Sequence, residues 1–176
     1  MMPVQQNPLS VTRIMGVDAS LRSTGVGVID AVGSRMVPVW YGTVKNPQSR
    51  PLSSCLVHLQ DEMTKLIETH QPHAVAIEGV FYAKNVRTMM ILAHARGVII
   101  AQCARVALPV YEYEPRRVKM AVAGYGGAQK EQVQKMVKTL LNLSEEPQND
   151  AADALALAIT HLHNRTLIAA QASEPI

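Results

Sequence analysis

The sequence predicts an α/β fold: a mixed sheet, an antiparallel meander followed by parallel strands, with helices on both faces. Three observations predict it. Three strand-like runs follow one another within the first 44 residues, with gaps too short for a crossover helix, so they pair as a meander. Beyond residue 52, helical and strand-like segments alternate, the pattern of strands joined through helices. The run at 74–77 is wholly apolar, as a central strand covered on both sides must be.

Residues 1–12 are polar and read as a loose extension. The first strand, 14–18, ends on Asp18; the second, 25–30, reads GVGVID. The third, 36–44, is rich in β-branched and aromatic residues. After a loop at 46–51, Leu56, Leu59, Met63, Leu66 and Ile67 recur at helical spacing and define a helix over 52–70 that Pro72 ends. The apolar strand 74–77 runs into Glu78. A helix over 85–106, apolar on most sides, belongs in the core or against a partner subunit. A short strand covers 109–112, and a basic segment with glycines follows. Helices over 128–143 and 150–163 complete the chain, and 165–176 reads as a flexible tail. Residues 1–176 are expected to form one domain.

Composition narrows the function classes. Nearly half the residues are hydrophobic and under a fifth are charged, which excludes a disordered chain. The net charge of +3 is compatible with nucleic acid as a partner. Cys55 and Cys103 have neither CxxC nor zinc spacing and read as buried thiols of a reducing compartment. No apolar run reaches the roughly 20 residues of a membrane span, and no signal peptide is evident. A cytoplasmic protein with no membrane partner is expected.

The sharpest chemical signal is the placement of four acids. Asp18 and Glu78 end two strands, and adjacent strand ends in an open sheet converge on one edge. Asp150 and Asp153, spaced i and i+3, share a face at the start of the last helix. If that face meets the strand ends, four carboxylates occupy one small volume, which requires a cation. Hard oxygen donors suit Mg²⁺, with Mn²⁺ as the alternative. Two such ions about 3.5–4 Å apart activate a water and stabilise the leaving oxygen in phosphodiester cleavage. Each acid alone has a plainer account: Asp150 and Asp153 as first-turn acids at a helix dipole, Asp18 as a turn former before Ser20. Glu78 resists one, because an acid directly after AVAI is costly to bury unpaired.

Between residues 116 and 138, Arg116, Arg117, Lys119, Lys130, Lys135 and Lys138 stand against the single acid Glu131. These form either a solvated face or a phosphate track. Gly124, Gly126 and Gly127 before a helix favour the track, since bare amides at a helix N-terminus bind phosphate.

The segments MGVDASLRSTGVGVID, AVAIEGVFYAKN, HARGVIIA, PVYEYEPRRVKMAVAGYGGAQKEQV and QNDAADALALAITH, in this order, resemble the RuvC family of bacterial Holliday-junction resolvases over residues 14–163. The resemblance implies a ribonuclease-H-like fold, a homodimer and paired symmetric nicks across four-way junction DNA. It also implies Asp18, Glu78, Asp150 and Asp153 as catalytic metal ligands for two Mg²⁺ per subunit, and the RuvA–RuvB branch-migration complex as partner. It matches Lys119 and Lys130 to basic positions used on DNA. It makes Phe81 a residue that stacks on or wedges between bases, with Tyr82, Lys84 and Asn85 on the same DNA segment. The chain departs from the family's Asp-Pro-Gly at Asp18-Ala19-Ser20, so the turn after the first acid is expected to differ.

The sequence admits two other readings. STGVGVID is similar to the phosphate loop of actin-like ATPases, but the chain is too short for their two lobes. A junction-binding protein with weakened cleavage is the second, and the four intact acids argue against it.

Overall fold

The computed structural model describes residues 11–79, 85–167 and 174–176, with backbone alone for 165–167. Strands β1 (Val11–Asp18), β2 (Ser23–Val32) and β3 (Arg35–Lys45) form the meander. Helix α1 (Leu52–His70), β4 (Ala74–Glu78), α2 (Val86–Arg105) and β5 (Val110–Tyr113) follow, then α3 (Pro115–Ala123), α4 (Lys130–Leu140) and α5 (Asn149–Leu167). The sheet order is β3-β2-β1-β4-β5. β1 is central, antiparallel to β2 and parallel to β4, which in turn is parallel to β5.

Each face of the sheet has its own core. Met15, Val17, Val28, Val75 and Ile77 pack under α1 and α2 through Leu59, Met63, Ala95 and Ile99. The alternate residues, Ile14, Ile29, Ala74 and Ala76, pack under α3, α4 and α5 through Val122, Val137, Leu155 and Ile159. Strand side chains alternate between faces, so Asp18 shares the α5 side with Ile14 and Gly16.

α5 lies unusually close to the sheet. A Cβ on Gly16 would stand 1.8 Å from the carbonyl oxygen of Ala154, and one on Gly25 would stand 1.9 Å from that of Asp150. On the helix side the matching residues are small: Ala151, Ala154 and Ala158 are all buried. Glycine opposite alanine removes the side-chain layer that normally separates helix from sheet. The acids of α5 are thereby drawn to the strand ends.

Three differences from the sequence reading have local causes. The basic segment, to which the sequence reading assigned no element, contains a helix, α3. Pro115 sits in its first turn, where the missing N–H costs nothing, and Gly124 ends it in the left-handed conformation at φ 73°. The glycines therefore close one helix before the next begins, and α4 starts at Lys130, two residues later than expected. α5 continues past His163 to Leu167, with no Gly or Pro in that stretch to stop it. At the end of the chain, the Ile176 amide donates to the Val110 carbonyl of β5 at 2.9 Å. Cys55 and Cys103 are free and buried, as expected.

Candidate active site

Strand register sets the first two acids side by side. Val17 pairs with Ile77, and one residue further Asp18 and Glu78 end their strands on the α5 face. On its other flank Asp18 pairs with Gly25, the residue against which Asp150 packs. The fourth acid, Asp153, is one turn along α5 from Asp150. Asp18, Glu78 and Asp153 line one cleft of about 250 Å³, together with Lys119 and Lys130. Asp150 stands at its margin, held by Ser23, whose hydroxyl donates to Oδ2 at 2.5 Å.

The electrostatics follow from this crowding. The Asp18 carboxyl is pushed up to about 7, first by burial and then by the charges of Asp153, Glu78 and Asp150, with Lys130 opposing. Glu78 is also raised, by burial and then Asp153, against the pull of Arg96, Lys130 and Lys119. The other three acids thus lie within electrostatic reach of Asp18. Lys130 Nζ sits 2.7 Å from Asp153 Oδ2, and this pair holds the ammonium in its charged form.

Arg96 was legible in the sequence only as a charge interrupting an apolar helix. In the structure Arg96 is buried, at 8 % exposure, its guanidinium donating to the backbone oxygen of Glu78 and to the Glu112 carboxylate. It ties α2 to the strand end that carries a site acid. Ser23 was likewise missed, because a serine opening a strand has no distinctive spacing.

The donor set fits hard divalent cations: carboxylate oxygens only, mutually repelling, in a partly buried cleft. Among the described residues no three His, Cys, Asp or Glu side chains form a finished ligand set. Two of the four acids instead hold protein partners, Ser23 on Asp150 and Lys130 on Asp153.

Of the basic residues expected on DNA, Lys119 and Lys130 reach the cleft, whereas Arg116 is exposed on α3 and does not line it. Gly126 and Gly127 pack tightly, the first against Arg116 and the second against the Tyr125 ring. Phe81, Tyr82 and Lys84 lie outside the described residues. Asn85 caps α2, its side chain accepting from the amides of Arg87 and Thr88. His161 is buried between Tyr111 and Tyr113, with Nδ1 2.8 Å from the Tyr113 hydroxyl.

A five-stranded sheet in this order, with acids gathered at its central strand ends under a terminal helix, defines a ribonuclease-H-like nuclease. The family model for the crossover junction endodeoxyribonuclease RuvC matches residues 14–161. The RuvC of Brevibacillus brevis is 44 % identical over 157 residues, covering 89 % of this chain and 95 % of its own. That of Magnetococcus marinus is 44 % identical over 156 residues, covering 89 % and 87 %. The structure of T. thermophilus RuvC in complex with a Holliday junction substrate superposes with a TM-score of 0.87 at 28 % identity, over 94 % of this chain and 99 % of that one. The yeast mitochondrial Holliday junction resolvase Ydc2 shares the fold, at a TM-score of 0.63 and 12 % identity over 93 % and 84 % of the two chains. The chain belongs to the RuvC family of crossover junction endodeoxyribonucleases.

Proposed function

We propose that this protein resolves Holliday junctions by paired, symmetric phosphodiester cleavage, with Asp18, Glu78, Asp150 and Asp153 as catalytic metal ligands. The observation that carries this reading is the convergence at Asp18: burial and three other carboxylates, distant in the chain, together push its carboxyl up to about 7. Mg²⁺, as a pair of ions, is the cofactor this donor set favours. When bound it supplies an activated water and charge neutralisation at the leaving oxygen. The chain's own residues do the positioning. Glu78 and Asp18 are fixed by strand pairing, Asp150 by Ser23, and the α5 acids by close helix–sheet contact.

Lys119 and Lys130 flank the cleft and would engage the phosphates on either side of the scissile bond. Arg116, exposed on α3, extends this basic surface away from the cleft. Phe81 and Lys84 follow Glu78 closely in sequence and are assigned to the unstacked bases at the cut. Two copies are needed, because a junction offers two equivalent strands to two equivalent sites. The pairing surface is the α1/α2 side. There an open groove of about 630 Å³ is lined by Leu56, Met90, Ala93, Gly97, Val98 and Ala101. Met90 is more than half exposed on it. Coupling to RuvA–RuvB and work in the cytoplasm, on chromosomal DNA, complete the assignment. None of the described helices is long and apolar enough to cross a membrane.

The test is incubation of the protein with a synthetic four-way junction and Mg²⁺. Nicked duplexes in symmetric pairs are expected. A gel shift without nicks would leave a junction-binding protein and reject the nuclease.

A further inference from the structure

We infer that Lys130 is a displaceable counter-cation of the acidic cleft, through which junction DNA and the divalent ion bind cooperatively. The inference rests on the reading of the acids as metal ligands. It adds a device that senses whether substrate is present.

Lys130 opens α4, and its ammonium reaches across to α5 to lie 2.7 Å from Asp153 Oδ2. Besides Asp153, its charge is stabilised by Asp18 and Asp150. The same charge also pulls on Glu78, so one ammonium serves all four acids, in the volume a divalent cation would enter. Lys119 lines the same cleft but makes no ion pair among the described residues. The two lysines are thus not equivalent: one sits on an acid and the other does not.

The contact is built to open. The side chains of Lys130 and Asp153 are 47 % and 33 % exposed, so water competes for both, and a pair of this kind is weak. A lysine is a point charge on a flexible four-carbon stem and can change partner without moving the backbone. A divalent ion on Asp153 and an ammonium on the same carboxylate repel each other, so metal entry drives Lys130 off. A DNA phosphate at the cleft offers the displaced ammonium a new partner. Substrate thereby lowers the cost of loading the ion. By reciprocity the ion strengthens DNA binding by the same factor. Without DNA the acids retain their own cation and bind metal less tightly.

The experiment is calorimetric titration of Ca²⁺, a hard ion that takes the same oxygen donors. It is run on wild type, Lys130→Met, Lys130→Arg, Lys119→Met and Asp153→Asn, each with and without a four-way junction, with intact strands verified on a denaturing gel. In the absence of DNA, Lys130→Met should bind Ca²⁺ about two- to fivefold more tightly than wild type, the range expected for a partly exposed ion pair. The junction should then raise its affinity by correspondingly less. Lys130→Arg, which can re-form the pair, should return to wild-type behaviour, and Lys119→Met should show less than half the effect on a logarithmic scale. Equal Ca²⁺ affinity in Lys130→Met and wild type, or equal gains in the two lysine-to-methionine variants, overturns the inference while leaving the metal site standing. If Asp153→Asn binds Ca²⁺ as well as wild type, the metal-ligand reading itself fails and the inference falls with it.

Discussion

Gly25 and Asp150 touch. A Cβ on Gly25 would stand 1.9 Å from the Asp150 carbonyl oxygen, and Gly25 is also the cross-strand partner of Asp18. One hydrogen atom in place of a methyl group thus sets the spacing between a strand-end acid and a helix acid. Gly25→Ala should push α5 off the sheet at its N-terminal end. Overpacking against backbone costs about 1–3 kcal/mol or more. The expected outcome is a lowered Tm with a loss of cleavage far exceeding the loss of junction affinity. Unchanged cleavage in a normally folded Gly25→Ala protein would separate helix docking from the chemistry.

Each of the four acids can be tested by its amide. Asp18→Asn, Glu78→Gln, Asp150→Asn and Asp153→Asn preserve size and remove charge. A lost metal ligand withdraws several kcal/mol of transition-state stabilisation, so cleavage should fall by at least about a hundredfold. Binding should survive, because the substitutions leave the proposed phosphate contacts of the lysines in place. Asp18→Asn should also raise thermal stability, since its carboxylate is destabilised by burial and by three like charges. A variant that cuts at the wild-type rate removes that residue from the ligand set.

The degree to which this site was readable from sequence differs by residue, for physical reasons. Asp18 and Glu78 were readable because each ends an apolar run, and strand ends in an open sheet converge. The i, i+3 spacing of Asp150 and Asp153 put both on one helix face. The sequence did not show what brings that face to the strands. Gly16, Gly25 and Gly27 look like weak strand residues until a helix is seen lying on them. Helix α3 was hidden because Pro115 and Gly124 read as loop residues when each is taken alone, although together they are the start and stop of one short helix. Arg96 was hidden because its partners, Glu112 and the Glu78 carbonyl, come from two different strands.

Arg96 gives the third prediction. Its guanidinium bridges the Glu78 backbone and Glu112 from within α2. Arg96→Met keeps the length and apolar packing of the side chain but leaves the Glu78 carbonyl without this donor. An unsatisfied buried acceptor costs about 1–3 kcal/mol. Tm should fall by that measure. Cleavage should fall further, through a lower kcat at unchanged KM, since Glu78 would be displaced while the DNA surface remains. Arg96→Lys, with one donor fork lost and the charge kept, should fall between. Equal effects on kcat and KM would mean general loosening of the fold and not misplacement of Glu78.

Ser23→Ala is a gentler version of the same test. It removes the 2.5 Å hydrogen bond to Asp150 and nothing else of substance. A hydrogen bond to a charged group contributes about 1.5–3 kcal/mol. In the apo protein, freeing Asp150 should lower Tm slightly. In cleavage assays the apparent Mg²⁺ requirement should shift to higher concentration, while junction affinity measured without metal stays the same. An unchanged Mg²⁺ requirement would show that Asp150 orients itself without Ser23.

The pairing surface can be tested at Gly97, because the fold itself does not need glycine there. A Cβ at this position meets nothing within 4 Å, and the residue lies in the middle of α2, lining the α1/α2 groove. Gly97→Glu replaces a poor helix former with a good one, worth about 1 kcal/mol in an exposed helix interior. The monomer should therefore fold at least as well as before, with unchanged or raised Tm. In the groove, however, the new carboxylates of two copies would face an apolar surface and each other, and burying an unpaired charge is costly. If the proposed dimer forms through this groove, sedimentation should show a dimer for the wild type and a monomer for Gly97→Glu at the same concentration. Junction cleavage should lose its symmetry and give single nicks in place of paired ones. A Gly97→Glu protein that sediments as the wild type does would move the pairing surface elsewhere on the molecule. The monomer's intact stability would still exclude a folding defect as the cause of any lost activity.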